Sequence, residues 1–434
     1  MGTHRHRQQP RPLFYYTELV QAPGHPFYRK LNEVLRAAGL DEFCEGACRH
    51  FYAERRGRPS LAPGVYSRLM LVGFFEGLNS EHAIAWRAAD SLSVREFVGY
   101  GLEEATPGHV TLSRTRRLID GETHQRVFGW VLRQLAEAGL IQGKTIGVDA
   151  TTLEANAAMR SIVRRDTGES YQEYLKRLAA AEGLVAEDAA GLRRMHRRRP
   201  KQVSNAEWVN PHDAEAEITR LKDGRTALAY KVEEAVDLTS GAIVAVTTHP
   251  GAAPDTETLR ETVCAAGEQL AELIAVVTED GQAPVAPEGL REVVADKGYH
   301  SNEVLRELEQ MGVPSYIAEP ERGRRRWPGR AADRRAVYAN RGRIRGARGK
   351  RLQAARGEKL ERNFAHQFDS GGLRRLTVRG RGNVHKKVLL QAMACNLALL
   401  VRALYGAGKP KAASERAARL FWTLFGLLRR LLGG

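Results

Sequence analysis

Asp149 and Asp296 are the residues of this chain best placed to do chemistry. Asp149 ends the run Thr145-Ile146-Gly147-Val148, in which Ile146 and Val148 alternate with smaller residues after the turn residue Gly143. Asp296 ends a second apolar run, Val293-Val294-Ala295, and is followed by Lys297-Gly298-Tyr299-His300-Ser301. Both runs read as short buried strands. A single aspartate after a strand is more often a turn or a helix cap. Two such carboxylates on one sheet can share divalent metal ions, and two-metal sites drive in-line displacement at phosphorus. A site of that kind asks for a third acid from a neighbouring helix.

The segment from Gly357 to Phe368 supplies one. Leu360, Phe364 and Phe368 recur at i, i+4 and i+8, which predicts a helix with one packed face. Two glutamates compete for the role. Glu358 has Arg362 at i+4, the pairing of a solvated face. Glu361 borders the apolar face, and its own i+4 neighbour, Ala365, is small. Glu361 is therefore the predicted third carboxylate.

The chain has 434 residues, long enough for two or three domains. It carries 67 basic and 51 acidic residues, a net charge of +16, which points to a polyanionic partner and to nucleic acid first. Residues 1–11 are polar and basic, without the apolar core of a secretory signal. The apolar run Leu420 to Leu428 is broken by Thr423 and Gly426 and is too short to span a bilayer, so no membrane is expected. Four cysteines make no disulfide framework, consistent with a reducing cytoplasm. Cys44 and Cys48, near His50, have helical spacing and no second ligand pair; they read as core rather than as a zinc site.

Three regions must position the acids. Residues 1–140 are predicted to be a helical DNA-binding domain, with apolar stripes at Phe27, Leu31, Val34, Leu35 and at Leu69, Met70, Val72, Phe75. It ends in a basic helix carrying Arg114, Arg116 and Arg117, an order that suits a helix-turn-helix reader of DNA. Residues 141–400 hold the two aspartate strands. They also hold a hairpin of 227–232 with 242–246 about the Ser240-Gly241 turn, helices at 258–273 and 303–311, and a strand at 315–318. Within them, residues 156–225 read as a helical, basic insertion that includes Arg197 and Arg198, and residues 321–351 as an arginine- and glycine-rich segment lying on DNA, with Arg324, Arg325 and Arg326. Residues 401–434 are a C-terminal amphipathic helix. A strand, an insertion, a hairpin, then alternating helices and strands make the fold class multidomain: a helical domain followed by an α/β sheet of ribonuclease H-like order.

Taken together, Gly147-Val148-Asp149-Ala150-Thr151, Ala295-Asp296-Lys297-Gly298-Tyr299 and Glu361-Arg362-Asn363-Phe364-Ala365-His366 resemble the DDE transposases of bacterial insertion sequences. Leu373-Arg374-Arg375, Arg379-Gly380, Asn383-Val384 and Lys386-Lys387 extend the resemblance, which covers about residues 25–400. It implies a catalytic triad of Asp149, Asp296 and Glu361 holding two Mg²⁺ ions, with Mn²⁺ able to substitute. It further implies cutting and joining at the terminal inverted repeats of the element, on double-stranded DNA, by a homodimer assembled on that DNA in the bacterial cytoplasm. Many relatives carry Tyr and Arg before the catalytic Glu and Lys two turns after it. Here Arg356 precedes Glu361 by five residues and position 368 is Phe, so Arg362, Arg374 and Lys386 are the candidate cations for the cleaved end, with Arg375 beside them. A nuclease that only hydrolyses, and an inactive DNA-binding descendant, are the alternatives.

Overall fold

The computed structural model describes residues 24–53, 60–181, 191, 194, 204–221, 223–279, 285–321, 323, 325–416 and 419. Among the described residues, seven α-helices occupy the N-terminal part: α1 (Pro26–Ala37), α2 (Leu40–Cys48), α3 (Pro63–Phe75), α4 (Glu81–Asp90), α5 (Leu92–Val98), α6 (His109–Leu118) and α7 (Gly121–Glu137). Their starts are written locally. Pro26 and Pro63 fill first-turn positions, where a missing N–H costs nothing. Ser80, Ser91 and Asp120 cap α4, α5 and α7 by accepting from the backbone N–H three residues on. Phe27, Leu31, Leu35, Leu69 and Val72 are buried, as their spacing requires. So are Cys44 and Cys48, both free thiols packed in the core.

The sheet is built around β1 (Thr145–Glu154). β1 runs antiparallel to β5 (Thr226–Asp237) on one side and parallel to β7 (Glu292–Ala295) on the other. Beyond β7 lies β8 (Ser315–Ile317), also parallel. On its far edge β5 pairs with β4 (Glu217–Arg220) along its first residues and with β6 (Ile243–Pro250) along the rest, both antiparallel. The order across the sheet is therefore β6, β5, β1, β7, β8, three antiparallel strands followed by two parallel to β1. The predicted hairpin is β5 and β6, longer than its sequence pattern, with Gly241 at positive φ in the turn.

Among its described residues, the segment between β1 and β5 carries helix α8 (Tyr171–Ala181) and, beyond the expected helical insertion, short strands β2 (Val163–Arg164) and β3 (Trp208–Val209) that pair with each other. Tyr171 and Tyr174 pack edge-on to the buried Trp208, which gives this excursion its own small apolar centre. Arg197 and Arg198 lie outside the described residues, as does Arg324.

The later helices are α9 (Asp255–Glu279), α10 (Asn302–Gln310), α11 (Ala331–Arg345), α12 (Ala347–Asp369) and α13 (Arg381–Tyr405). Among its described residues, the arginine-rich stretch 321–351 is largely helical, formed by α11 and the start of α12. Asp333, Ala336, Val337 and Asn340 face inward, and Asn340 bonds both the N–H and the carbonyl of Ile317 at 2.9 and 2.8 Å.

α13 joins the two regions that the sequence separated at residue 140. Asn396 bonds the N–H and carbonyl of Ile243 in β6. At its other end, Lys386 donates to the carbonyls of Arg116 and Ile119. One continuous apolar core runs from Phe27 through the sheet to Val401. The helical stretch 381–416 is long and apolar enough to cross a bilayer, but 67% of its apolar window is buried inside the protein, as in a core helix. Of the C-terminal amphipathic helix, residues 420–434 lie outside the described residues.

Candidate active site on two parallel strands

The parallel register pairs Thr145 with Glu292, Ile146 with Val293 and Gly147 with Val294. Carrying the same offset two residues further sets Asp149 level with Asp296. Gly147 faces α12: a Cβ there would lie 2.6 Å from Leu238 Cδ2, 3.1 Å from Leu360 Cδ1 and 3.2 Å from Arg356 Cγ. The glycine lets the helix lie directly on the strand. Alternation along β1 gives Asp149 the same face, and Arg356 Nη1 meets its Oδ2 at 2.9 Å while Oδ1 accepts from Ala150 N–H. Asp296 follows the last residue of β7. Its Oδ1 accepts from Gly298 N–H at 2.7 Å and caps the short 3₁₀ turn Lys297–Tyr299.

α12 crosses the sheet from β8 to β5. Gln353 donates to the carbonyls of Ala295 and Tyr316, Leu360 sits on Gly147, Asn363 donates to the Gly241 carbonyl, and Gln367 donates to Glu234. Lys359 and Asn363 lie on the flank that meets the β5–β6 turn, beside the start of β1. At about 100° per residue, Glu361 is on the opposite flank, towards the carboxyl ends of β1 and β7. It is exposed, and its Oε1 lies 4.0 Å from the position of a Gly357 Cβ. Glu358 points away from the sheet, 60% exposed and paired with Arg362, as its spacing predicts. Among the described residues no three His, Cys, Asp or Glu side chains are gathered closely enough to hold a metal ion. The two aspartates share a level and the glutamate stands on the adjoining flank.

Sequence reasoning missed the acids inside β5. Glu234 is the direct cross-strand neighbour of Asp149 and is fully buried. Burial pushes its carboxyl up to about 7, the hydrogen bond from Gln367 opposes this, and the negative charge of Asp149 adds to it. Glu233 faces the other side, where Thr258 and Thr262 of α9 donate to it and Lys231 lies 3.1 Å away. The available signal was the three charges Lys231, Glu233 and Glu234 inside an otherwise apolar strand.

The predicted DNA contacts divide. Arg114, Arg117 and Arg326 are exposed, and so are Arg374 and Arg375, although Arg374 pairs with Asp369 at 2.9 Å. Arg325 lies over the Trp327 ring at 5.0 Å, and Arg362 is held by Glu358. Two expectations are corrected. Arg116 is nearly buried, paired with Glu81 at 2.6 Å and Asn383 at 2.9 Å. Lys386 is 7% exposed and caps the last carbonyls of α6. Both tie α6 to α13 instead of facing solvent. Their long side chains have apolar stems, so burial leaves no mark in the sequence. Unforeseen are Tyr338 of α11, exposed between Arg334 and Arg341, and Trp86, 71% exposed beside His82, whose ring in turn stacks near His109 of α6.

Residues 14–118, which include α1 to α6, match the family model described as Transposase domain (DUF772). No curated protein and no solved structure matches the chain.

Proposed function

We propose that this chain is a transposase of the DDE type that cuts and joins DNA at the terminal inverted repeats of an insertion sequence. The observation that carries the reading is the parallel register of β1 and β7, which, extended by two residues, sets Asp149 level with Asp296. The sheet order, three antiparallel strands followed by two parallel to the first, supports a ribonuclease H-like catalytic domain.

The donor set fits two Mg²⁺ ions, with Mn²⁺ as substitute. Two carboxylates at one level on neighbouring strands are hard oxygen donors, and Asp149 already attracts a cation, the Arg356 guanidinium. Asp149, Asp296 and Glu361 would hold the ions, which when bound make water or a 3′-hydroxyl nucleophilic and stabilise the leaving oxygen. The strands fix the two aspartates rigidly, and α12, seated on Gly147, brings the flank carrying Glu361 alongside. Arg356, now paired with Asp149, would have to release that carboxylate for it to hold an ion.

Duplex DNA is the partner, held through phosphates by Arg114 and Arg117 on α6, by Arg326 and Arg334, and by Arg374 and Arg375. Trp86, His82 and His109 stand beside α6, where apolar and hydrogen-bonding side chains could meet base edges. Two copies on two ends make a homodimer on DNA, acting in the cytoplasm at the nucleoid.

The test is incubation with an end duplex, a target plasmid and Mg²⁺. Nicked ends and joined products are expected from the parent protein, and neither from Asp149→Asn or Asp296→Asn, which should keep end binding in a gel shift. Cleavage without joining would make the protein a nuclease. Cleavage by either variant near the parent rate would remove the aspartates from the site.

A further inference from the structure

Tyr299 closes the 3₁₀ turn after Asp296, and its side chain is completely buried. Among the described residues its hydroxyl has no hydrogen-bond partner, a state that folded proteins seldom tolerate without a use for it. Burial above all, and then the negative charges of Glu233, Asp255, Asp149 and, least, Asp296, keep the phenol protonated, so it stands as a hydrogen-bond donor.

Two of those four acids are already satisfied. The buried Lys231 ammonium lies 3.1 Å from Glu233 and 2.5 Å from Asp255 Oδ1, and it donates to Thr258 at 2.9 Å. Thr258 and Thr262 complete the shell of Glu233. Asp149 Oδ2 is taken by Arg356. Asp296 uses Oδ1 for the Gly298 N–H, and its Oδ2 makes no hydrogen bond among the described residues. A Cβ at Gly298 would lie 2.6 Å from Asp255 Oδ2 and 3.0 Å from Asp296 Oδ1, so this glycine lets both acids stand against the turn that carries Tyr299.

We infer that Tyr299 is a positioning residue for the aspartate pair, its hydroxyl donating to the Asp296 carboxylate when that carboxylate holds a divalent cation. Ligating carboxylates are themselves held by outer hydrogen bonds, and loss of such a partner typically weakens metal binding by about 10–100-fold. A tyrosine that only filled the core would be served as well by phenylalanine, which has the same ring and no stranded hydroxyl. The inference rests on the metal-dependent reading above.

The test uses the full-length protein without DNA. Mn²⁺ binding is measured by electron paramagnetic resonance for the parent, Tyr299→Phe and Asp296→Asn, with melting temperatures alongside. Tyr299→Phe is expected to melt no lower than the parent, since it removes an unpaired buried group, and to bind Mn²⁺ about tenfold more weakly. Weakened binding in both variants supports the positioning role. Parent-like binding in Tyr299→Phe with weakened binding in Asp296→Asn overturns it and leaves the metal site standing. Parent-like binding in Asp296→Asn overturns the metal reading itself, and the inference with it.

Discussion

Arg356 Nη1 lies 2.9 Å from Asp149 Oδ2, and both side chains are mostly screened from solvent. The guanidinium comes from the helix that lies on Gly147, so it reaches the acid along the same close approach that seats the helix. Arg356→Gln removes a charge from the immediate surroundings of Asp149. The expected result is a loss of about 1–3 kcal/mol in stability, because a partly buried carboxylate loses its charged donor. Mn²⁺ should bind the DNA-free variant several-fold more tightly, since no fixed cation competes for Asp149. Calorimetry and Mn²⁺ titration check the two halves. Weaker Mn²⁺ binding would mean that Arg356 holds the carboxylate ready instead of competing for it.

Glu234 makes stability depend on pH. Its carboxyl is raised to about 7 by burial, against an ordinary value of 4.5, so the folded state binds the proton more tightly than the unfolded chain does. Its contribution is fully present below about pH 4.5 and is lost as pH rises through about 7. Urea unfolding of the parent and of Glu234→Gln should diverge across that window, the variant gaining roughly 3 kcal/mol over the parent by about pH 9. Parallel curves would show that Glu234 is ionised and paired throughout.

Both aspartates were legible because an apolar β-type run carrying an acid survives any tertiary context. Only Asp296 follows the end of its strand; β1 continues past Asp149 to Glu154, paired with β5, so Asp149 lies within the strand and not at its end. Also legible were the helices of the N-terminal part, whose buried positions keep the helical period and whose caps are the residue types that accept a backbone N–H. The polar interior of β5 was not legible. Whether Glu233 is caged by threonines or left in solvent depends on α9, which is far away in sequence. α11 went unrecognised because its arginines swamp the inward stripe of Asp333, Ala336, Val337 and Asn340. β2 and β3 are two residues each, too short for any period to register.

Salt dependence separates the arginines that face solvent from the two cations that do not. The slope of log K against log salt for end binding should be several units, near about −0.9 per neutralised phosphate. Replacing exposed Arg326 and Arg334 together by alanine should make the slope shallower, by about one unit for each phosphate no longer neutralised. Lys386→Met should lower the melting temperature, because the last carbonyls of α6 lose their donor, and leave the slope unchanged. An altered slope with unchanged melting in Lys386→Met would return that residue to the DNA surface.

The choice between the two glutamates of α12 closes the site. Glu358 is exposed and tied to Arg362 one turn on, and exposed pairs of this kind contribute only ~0.3–0.5 kcal/mol. Glu358→Gln should therefore leave both stability and cleavage close to the parent. Glu361 lies on the flank opposite Lys359 and Asn363, which meet the β5–β6 turn, and so on the flank nearer Asp149 and Asp296. Among the described residues it makes no ion pair that replacement would break, and Glu361→Gln should melt with the parent. The amide keeps the shape and loses the charge that a hard cation requires. Strand cleavage of an end duplex in Mg²⁺ should then fall by orders of magnitude, while gel-shift affinity for the same duplex stays within a few-fold. Because the three acids are not gathered in the DNA-free protein, an end duplex should also sharpen Mn²⁺ binding in the parent and in Glu358→Gln but not in Glu361→Gln. Cleavage retained in Glu361→Gln and lost in Glu358→Gln would exchange the two assignments and require α12 to turn on its axis when DNA binds.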